Sequence, residues 1–331
     1  MWSCKEHAAC KCDEFSPAAS HSRETVSETI VEKPCKTSRL GLAAGWLLFG
    51  CGVALMLALR DRLELLTWCQ VATWLFFGTS KAATLLRLGR ITLREWTAGR
   101  LLGYLLWPGM QPRPFLRPAV AARGISSLWA TGAINLLTGS WLLWVVPHLF
   151  PTEIPLLGRV CVGIVGYAFF MLFGIFDLVA ALYRQCGVPV EKLWDNPLAA
   201  TSLADFWGNR WNRIFSGFAR DMLVAPLARR ISPRRLGLIV FLFSGLLHEY
   251  AWSFPADGGY GGPLSYFLVQ WLGFQVESTR RGRKLFRGRP SLLGRLWTWM
   301  VVLLPLPLLL PPTFLERVVL PLLMNLGVPG L

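Results

Sequence analysis

The segment 201–213 reads TSLADFWGNRWNR, and an apolar run from Leu236 to Leu247 follows it and ends in His248-Glu249-Tyr250. Ser202 with Asp205 three residues later is typical of the capping box that starts a helix. Apolar and aromatic residues then recur at helical spacing, which predicts one amphipathic helix lying at a membrane surface. The residues of that apolar face are Leu203, Phe206, Trp207, Trp211, Ile214, Phe215, Phe218 and Met222.

The apolar run after this helix predicts a membrane span. Leu236 to Phe254 is long enough to cross a bilayer, yet His248 and Glu249 lie well inside it. At 1.5 Å per residue His248 is about 18 Å from the start of the span, beyond the bilayer midpoint. Ionisable side chains at that depth are costly, so they normally face a bundle interior or a wet cavity. His248 is therefore a functional candidate, and a structural histidine hydrogen-bonded between helices is the alternative.

At these residues the sequence resembles the wax synthase branch of the membrane-bound O-acyltransferases. The resemblance rests on FWGNRWN, followed about 35 residues later by HEY at the end of an apolar span, and it is specific over 176–277. It implies that a long-chain acyl group moves from acyl-CoA to a lipophilic alcohol, giving a wax ester or a related lipid ester. The expected partners are acyl-CoA, as co-substrate, the alcohol and the lipid bilayer, with no further cofactor and no metal.

The resemblance also implies roles for two catalytic residues. His248 would be the general base that deprotonates the acceptor hydroxyl, since a neutral imidazole accepts a proton from an alcohol. Asn212, which closes the FWGNRWN motif, would donate from its carboxamide to the thioester carbonyl or position the substrate. The alternative for Asn212 is a side chain that caps a helix or bonds to backbone.

Further residues are candidates for substrate binding. Trp207 and Trp211 belong to the same motif. Arg210 or Arg213 would contact the coenzyme A phosphates, because a guanidinium binds such oxyanions in a bidentate manner. An equally good interpretation is that both arginines set membrane topology and contact lipid headgroups.

Two intramembrane carboxylates complete the candidate site. Glu249 is predicted to orient His248 or a neighbouring backbone group; adjacent helical residues point about 100° apart, which disfavours direct pairing of the two side chains. Asp177 is predicted to line the same cavity or to make a hydrogen bond between helices. Other polar residues of the spans receive no chemical role, and His148 is predicted to be interfacial; the unassigned residues are Gln70, Lys81, Asn135 and Gln270.

Composition places the chain among polytopic membrane proteins. Of its 331 residues 53% are hydrophobic, and the mean hydropathy is +0.44. The net charge of +15 does not indicate a nucleic-acid partner, because Lys and Arg lie in short clusters between apolar runs. The eight cysteines form no disulfide framework, and those of the leader lack paired C-x-x-C spacing for a metal. No G-x-S-x-G elbow is present, so a serine-hydrolase mechanism is unsupported.

The predicted fold class is all-α, a polytopic transmembrane helix bundle of about eight spans with interfacial amphipathic helices. Residues 1–39 are predicted to be a disordered cytoplasmic leader. Residues 40–331 are predicted to be the transmembrane acyltransferase domain, with its core motif region at 176–277. The predicted spans are 40–59, 63–88, 126–147, 158–183, 236–254, 263–279, 296–310 and 314–326.

Arginine-rich loops follow the second, fourth and sixth predicted spans. They place the N-terminus, the loop after residue 89, the 201–213 segment and the loop after residue 280 in the cytoplasm. The host membrane is either the endoplasmic reticulum or a bacterial inner membrane. Within the same family a sterol or diacylglycerol acceptor remains open, and outside it a non-catalytic lipid transporter or scaffold. The sequence lacks the internal repeats that transporters commonly show.

Overall fold

The computed structural model describes residues 38–88, 95–116, 124–151, 154–287 and 292–331, and all regular structure in these ranges is helical. The all-α prediction is therefore confirmed. Short 3₁₀ turns connect some of the helices, including Arg60–Arg62, which forms a tight connection between the first two helices. The helices are α1 (Arg39–Ala58), α2 (Leu65–Leu88), α3 (Ala98–Leu106), α4 (Ile125–Trp144), α5 (Leu156–Gln185), α6 (203–210), α7 (213–227), α8 (Pro233–Ala256), α9 (Gly262–Ser278), α10 (280–287), α11 (Leu292–Leu309) and α12 (312–325).

Every predicted span corresponds to a helix, namely α1, α2, α4, α5, α8, α9, α11 and α12. Four of these, α1, α5, α8 and α11, are both long enough and apolar enough to cross a bilayer. The described part of the protein is thus helical, and its apolar helices indicate a membrane protein. The loops predicted after residues 89 and 280 fall partly outside the described residues, at 89–94, 117–123 and 288–291.

The first helix begins at the predicted leader boundary. Ser38 is its N-cap, and the Ser38 hydroxyl accepts a hydrogen bond from the Gly41 N–H at 3.0 Å. Helix α1 begins at Arg39, so residue 39 belongs to the first turn of the helix rather than to the leader. The predicted disorder and the leader cysteines concern residues 1–37, which lie outside the described residues.

Helices that follow one another in the chain pack as close pairs. Helices α4 and α5 approach most closely at Gly139, where an added Cβ would lie 2.2 Å from the Phe170 backbone nitrogen. No side chain larger than hydrogen fits there, so a glycine is required by packing. Farther along α5 the helix widens into a π-helical stretch, Ala168–Ile175.

The 201–213 stretch departs from the predicted single helix. Trp211 is extended, and Asn212 adopts the left-handed conformation with φ 43° and ψ 63°, so α6 ends at Arg210 and α7 begins at Arg213. Asparagine tolerates that conformation better than most residues. The Arg213 N–H, which leaves the helical ladder, donates to the Leu193 carbonyl at 2.8 Å. The break therefore has hydrogen-bond partners on both sides.

The apolar face of this stretch also lies elsewhere than predicted. Leu203 and Phe206 of α6, and Phe218 and Met222 of α7, are at most 2% exposed. They pack against other helices of the protein. The prediction of a helix lying on a membrane surface through this face is wrong, because its aromatic and aliphatic side chains form protein core.

An aromatic cluster fixes α7 against α8. The ring of Phe243 in α8 stacks on Phe215 of α7, with centroids 5.9 Å apart and planes inclined by 22°. Phe218 and Trp46 of α1 contact the same ring at 6.4 Å and 5.5 Å. Such ring pairs add directional attraction to apolar burial. This cluster places the start of α7 beside the helix that carries His248.

Candidate active site

His248 lies where the α-helical part of α8 gives way to a π-helical turn, Glu249–Ser253. Its ring Nδ1 is 2.7 Å from the carbonyl oxygen of Ser244. A carbonyl oxygen can only accept, so Nδ1 carries the ring hydrogen and Nε2 holds the lone pair. The hydrogen bond thus selects the tautomer that can take up a proton at Nε2.

Two aromatic rings hold the imidazole. The Trp252 ring lies edge-on to it at 4.5 Å between centroids, and the Phe267 ring of α9 lies at 4.7 Å. His248 itself is half-buried and Phe267 is 2% exposed. Packing on two sides and a hydrogen bond at Nδ1 leave the ring little freedom to rotate.

The tryptophan of the FWGNRWN motif meets the same phenylalanine. The Trp207 ring lies 5.6 Å from the Phe267 ring, and the Trp207 indole N–H donates to the Gln270 side-chain oxygen at 3.2 Å. The motif of α6 and the histidine of α8 are therefore brought together on one ring of α9. A π-helical turn occurs at each of the two, over Phe206–Arg210 and Glu249–Ser253, and such turns are frequent at functional sites.

Asn212 caps α7. Its side-chain oxygen accepts a hydrogen bond from the Phe215 N–H at 3.1 Å, as an N-cap residue does. Within the described ranges the amide nitrogen of Asn212 makes no hydrogen bond, so the donor half of the carboxamide remains available. Helix capping, the structural alternative for this residue, is thus present, and it engages only the acceptor half.

The region that holds this geometry matches a known family. Residues 190–268 match the sequence model of the Membrane bound O-acyl transferase family. They contain Trp207, Asn212, His248 and Phe267. In this segment the chain is similar to the membrane bound O-acyl transferase family.

Curated relatives from Arabidopsis thaliana match part of the chain. Identity is 33% over 105 residues to probable long-chain-alcohol O-fatty-acyltransferase 3, covering 29% of this chain and 30% of that protein. It is 30% over 136 residues to probable long-chain-alcohol O-fatty-acyltransferase 2, covering 35% and 36%. It is 32% over 77 residues to acyl-CoA–sterol O-acyltransferase 1, covering 21% and 22%. The similarity therefore spans about a third of these relatives' length or less.

Arg210 of the motif and Arg213, which follows it, bind the preceding segment of the chain. The Arg210 Nε lies 2.6 Å from an Asp205 carboxylate oxygen, and an Arg210 Nη donates to the carbonyls of Asp195 and Asn196 at 3.3 Å and 3.2 Å. Arg213 forms an ion pair with Glu191 at 2.5 Å. Both guanidinium groups thus hold the segment 191–196 against the motif. Asp205 was expected in a capping box with Ser202, but its carboxylate is bound by Arg210 instead. The Ser202 hydroxyl caps α6 by accepting a hydrogen bond from the Asp205 N–H at 3.0 Å.

The remaining motif tryptophan and Asp177 serve the same region. The Trp211 ring stacks on Phe206 at 5.5 Å, with planes inclined by 11°. Asp177 of α5 is buried and forms an ion pair with Lys192 at 2.8 Å. Among the described residues no hydrogen bond or ion pair joins Asp177 to His248. The carboxylate therefore anchors the segment 191–196 to α5.

Glu249 contacts a backbone group of α9. One carboxylate oxygen accepts a hydrogen bond from the Leu264 N–H at 3.0 Å. The N-cap of α9 is Gly261, which has no side chain to offer. Glu249 thus caps the first turn of α9, whereas the prediction had left open its action on His248 or on neighbouring backbone.

Sequence reasoning missed two buried polar residues of α9. Gln270 and Glu277 are each 0% exposed. Glu277 accepts the Leu203 and Ala204 N–H groups at 2.5 Å and 3.3 Å, and so holds the start of α6. A signal was present, because the two lie seven residues apart and thus on one face of an otherwise apolar helix.

Lys81, which was also assigned no role, is a buried anchor of α2. It is 4% exposed, and its Nζ donates to the carbonyls of Tyr104, Trp107 and Gly109 at 2.8, 2.6 and 2.9 Å. These carbonyls lie in and just after the last turn of α3, so the Lys81 ammonium caps the C-terminal end of that helix. Burial also raises the pKa of the Tyr104 hydroxyl. Lys81 is structural by its contacts.

No cluster of three or more His, Cys, Asp or Glu side chains suited to a metal ion occurs in the described ranges. The leader cysteines, the other place where a metal was considered, lie outside them.

Proposed function

We propose that this protein is an integral membrane O-acyltransferase that moves a long-chain acyl group from acyl-CoA to a lipophilic alcohol. The observation that carries the proposal is the meeting of Trp207 and His248 on the Phe267 ring, inside the segment that matches the membrane bound O-acyl transferase family. The relatives' names, which include long-chain-alcohol O-fatty-acyltransferases, support acyl transfer to an alcohol. The product is a wax ester or a related lipid ester.

The proposed reaction is a direct transfer with His248 as the base. Its Nε2, unprotonated because Nδ1 donates to Ser244, accepts the hydroxyl proton of the alcohol. The alcohol oxygen attacks the thioester carbonyl carbon, and a tetrahedral intermediate forms. When the C–S bond breaks, the ester is released, and coenzyme A leaves as a thiolate that takes the proton back from Nε2. The ring returns to its starting tautomer, so no covalent acyl-enzyme is needed.

Asn212 is proposed to stabilise the charge on the thioester oxygen. Its amide nitrogen is the donor, since its oxygen already accepts from the Phe215 N–H. The tryptophans Trp207 and Trp211 would form apolar walls for the acyl chain. Arg210 and Arg213 are proposed to meet the coenzyme A phosphates at the cytoplasmic face, in exchange for part of their contacts with the segment 191–196. Glu249 and Asp177 support the site by holding α9 and that segment.

We further propose that all eight apolar helices lie in the membrane and that the N-terminus is cytoplasmic. Arginine-rich loops after the second, fourth and sixth of them support this orientation. The acyl-CoA would then reach α6 and α7 from the cytoplasm, and the alcohol would arrive through the bilayer. Residues 40–331 would form the acyltransferase domain, with residues 176–277 as its core, in the endoplasmic reticulum or a bacterial inner membrane.

A sterol is the second candidate acceptor. It is favoured by one observation, the similarity to a protein named acyl-CoA–sterol O-acyltransferase 1. Both acceptors present a single hydroxyl on a large apolar body, so one base would serve either. The contacts of His248 and Asn212 are the same in both cases, and only the acceptor cavity would differ.

The test is ester formation by membranes that contain the protein. Labelled palmitoyl-CoA is supplied with hexadecanol, with a sterol, with diacylglycerol or with no acceptor, and the lipid products are separated. We expect a wax ester from hexadecanol. Sterol ester alone would redirect the proposal to the second acceptor, and no ester from any acceptor would refute it in favour of a transporter or scaffold.

A matched pair of histidine variants tests the base. His248→Ala is expected to lose about 10²–10⁴-fold in rate, as general-base assistance does. His148 lies in an exposed turn, Val146–Leu149, and His148→Ala is expected to keep the parental rate. Well-inserted His248→Ala protein that forms ester at the parental rate would contradict the mechanism.

A further inference from the structure

Helix α9 contacts both halves of the candidate site along one face. Near its start Phe267 touches the rings of His248 and Trp207. Near its end Glu277 binds the first N–H groups of α6. Between them lies Gln270, the side chain that reaches the Trp207 indole. Gln270 and Glu277 both fall outside the matched residues 190–268.

Gln270 is fully buried and both ends of its amide are bonded. Its nitrogen donates to the Val301 carbonyl of α11 at 2.7 Å, and its oxygen accepts from the Trp207 indole N–H at 3.2 Å. A carbonyl can only accept and an indole N–H can only donate, so a single orientation of the amide satisfies both partners. Neither a hydrocarbon side chain nor a carboxylate of the same length offers this pair of functions.

Burying a side-chain amide costs free energy unless its hydrogen bonds are made. An apolar residue at position 270 would avoid that cost. The bond from Gln270 fixes the indole of Trp207 between α9 and α11. The position of that ring in turn sets how α6 meets Phe267, and Phe267 is the ring that holds His248. A lost bond at Gln270 would therefore shift α6 relative to the base.

We infer that Gln270 is a positioning residue of the acyl-transfer site, which acts by holding the Trp207 indole in register with His248. The inference rests on the proposed function. Gln270 touches neither reacting atom, and its effect passes through Trp207. Glu277 holds the other end of α6 on the same helix, so α9 sets both the position and the direction of the motif.

The test compares Gln270→Met with Gln275→Met in purified enzyme. Gln275 lies on the same helix, and its amide nitrogen is buried without a partner among the described residues, so its loss should cost nothing. We expect Gln270→Met to lower kcat about tenfold, in line with the cost of sub-ångström misplacement, while KM for palmitoyl-CoA changes less than about twofold. We expect Gln275→Met to keep both parental values. Parental kcat in folded Gln270→Met would overturn the inference.

Trp207→Phe keeps a ring but removes the indole N–H, and it serves where Gln270→Met fails to fold. We expect its kcat to fall to a similar extent, and the double variant Trp207→Phe with Gln270→Met to be no slower than the slower single variant. Parental kcat in folded Trp207→Phe, or losses that multiply in the double variant, would overturn the inference, because the two residues would then act independently.

A readout without ester separates this inference from the proposed function. The rate at which diethylpyrocarbonate modifies His248 is followed by peptide mass spectrometry, with exposed His148 as the internal reference. We expect the ratio of the modification rates of His248 and His148 to change at least about threefold in Gln270→Met and to stay unchanged in Gln275→Met. If the parent protein forms no ester, the proposed function fails and this ratio alone decides the inference. An unchanged ratio would then refute it.

Discussion

Three substitutions of Asn212 separate its role in the fold from its proposed role in the reaction. The residue has a positive φ of 43°, its oxygen caps α7 through the Phe215 N–H, and its amide nitrogen is the proposed donor. Asn212→Asp keeps the capping oxygen and removes the donor. Asn212→Gly keeps the positive φ and removes both functions. Asn212→Ala removes both functions and adds backbone strain.

The structure sets the expected stabilities. Loss of an N-cap side chain to alanine costs about 1 kcal/mol, and alanine in the left-handed region costs roughly 1 kcal/mol more. Asn212→Ala is therefore expected to unfold about 2 kcal/mol more easily than the parent. Asn212→Gly should lose only a few tenths of a kcal/mol, since glycine is nearly as good an N-cap. Asn212→Asp should be close to the parent, because aspartate caps helices as well as asparagine does.

The expected rates follow a different order. If the amide nitrogen stabilises the thioester oxygen, all three variants lose about 10²–10³-fold in kcat, including the stable Asn212→Asp. If Asn212 only caps α7, the folded fraction of Asn212→Asp keeps the parental rate, and Asn212→Ala loses activity in proportion to its unfolding. Thermal unfolding in detergent and kcat for wax ester formation are measured on the same preparations. Parental kcat in Asn212→Asp would refute the donor role.

Three further predictions concern the scaffold and the membrane. Deletion of residues 1–37 should leave ester formation unchanged, because a leader of that composition cannot bury a core; normal insertion with lost activity would contradict this. When a cysteine-free parent is produced in a bacterial inner membrane, a membrane-impermeant maleimide that enters the periplasm should label Tyr260→Cys and not Arg281→Cys in intact cells, and the reverse pattern would overturn the proposed topology. Lys81→Met should lower the unfolding temperature by several degrees, because three buried carbonyls lose their donor at a cost of about 1–3 kcal/mol each. The exposed control Lys284→Met should keep the parental unfolding temperature. Equal unfolding temperatures in the two variants would show that the Lys81 anchor is dispensable.

The helices of this fold could be predicted from sequence because each apolar run is bounded by charge, proline or glycine. The α1–α2 hairpin at Arg60–Arg62 is an example. The break at Asn212 could not be predicted, because apolar residues keep helical spacing across it, from Phe206 to Phe215. The spacing of apolar residues predicts which residues share a face of a continuous helix. A single left-handed residue between two short helices turns their apolar faces in different directions, and this leaves no mark in the spacing.

The individual site residues could be predicted only in part for a related reason. His248 was found because an imidazole in an apolar span is costly, a fact of local composition. The partners of Arg210 and Arg213 lie in the segment 191–196, which has no periodic pattern and gains its shape from these contacts. Asp177 reaches the same segment from another helix. Long-range ion pairs of this kind are properties of the folded chain, so residue type alone left ligand binding and the other interpretations of these residues equally open.

The carboxylates of α8 and α9 show that an ionisable residue in a mostly apolar helix has a second explanation besides catalysis. The first N–H groups of any helix need acceptors, and within a bilayer water does not supply them. The N-cap of α9 is Gly261, which has no side chain, and Glu249 supplies the missing acceptor to the Leu264 N–H. Helix α6 has the Ser202 cap, yet its Leu203 and Ala204 N–H groups still need Glu277. His248 differs from Glu277, because its Nδ1 hydrogen bond to the backbone leaves a second ring nitrogen for chemistry, whereas both carboxylate oxygens of Glu277 accept N–H groups of α6.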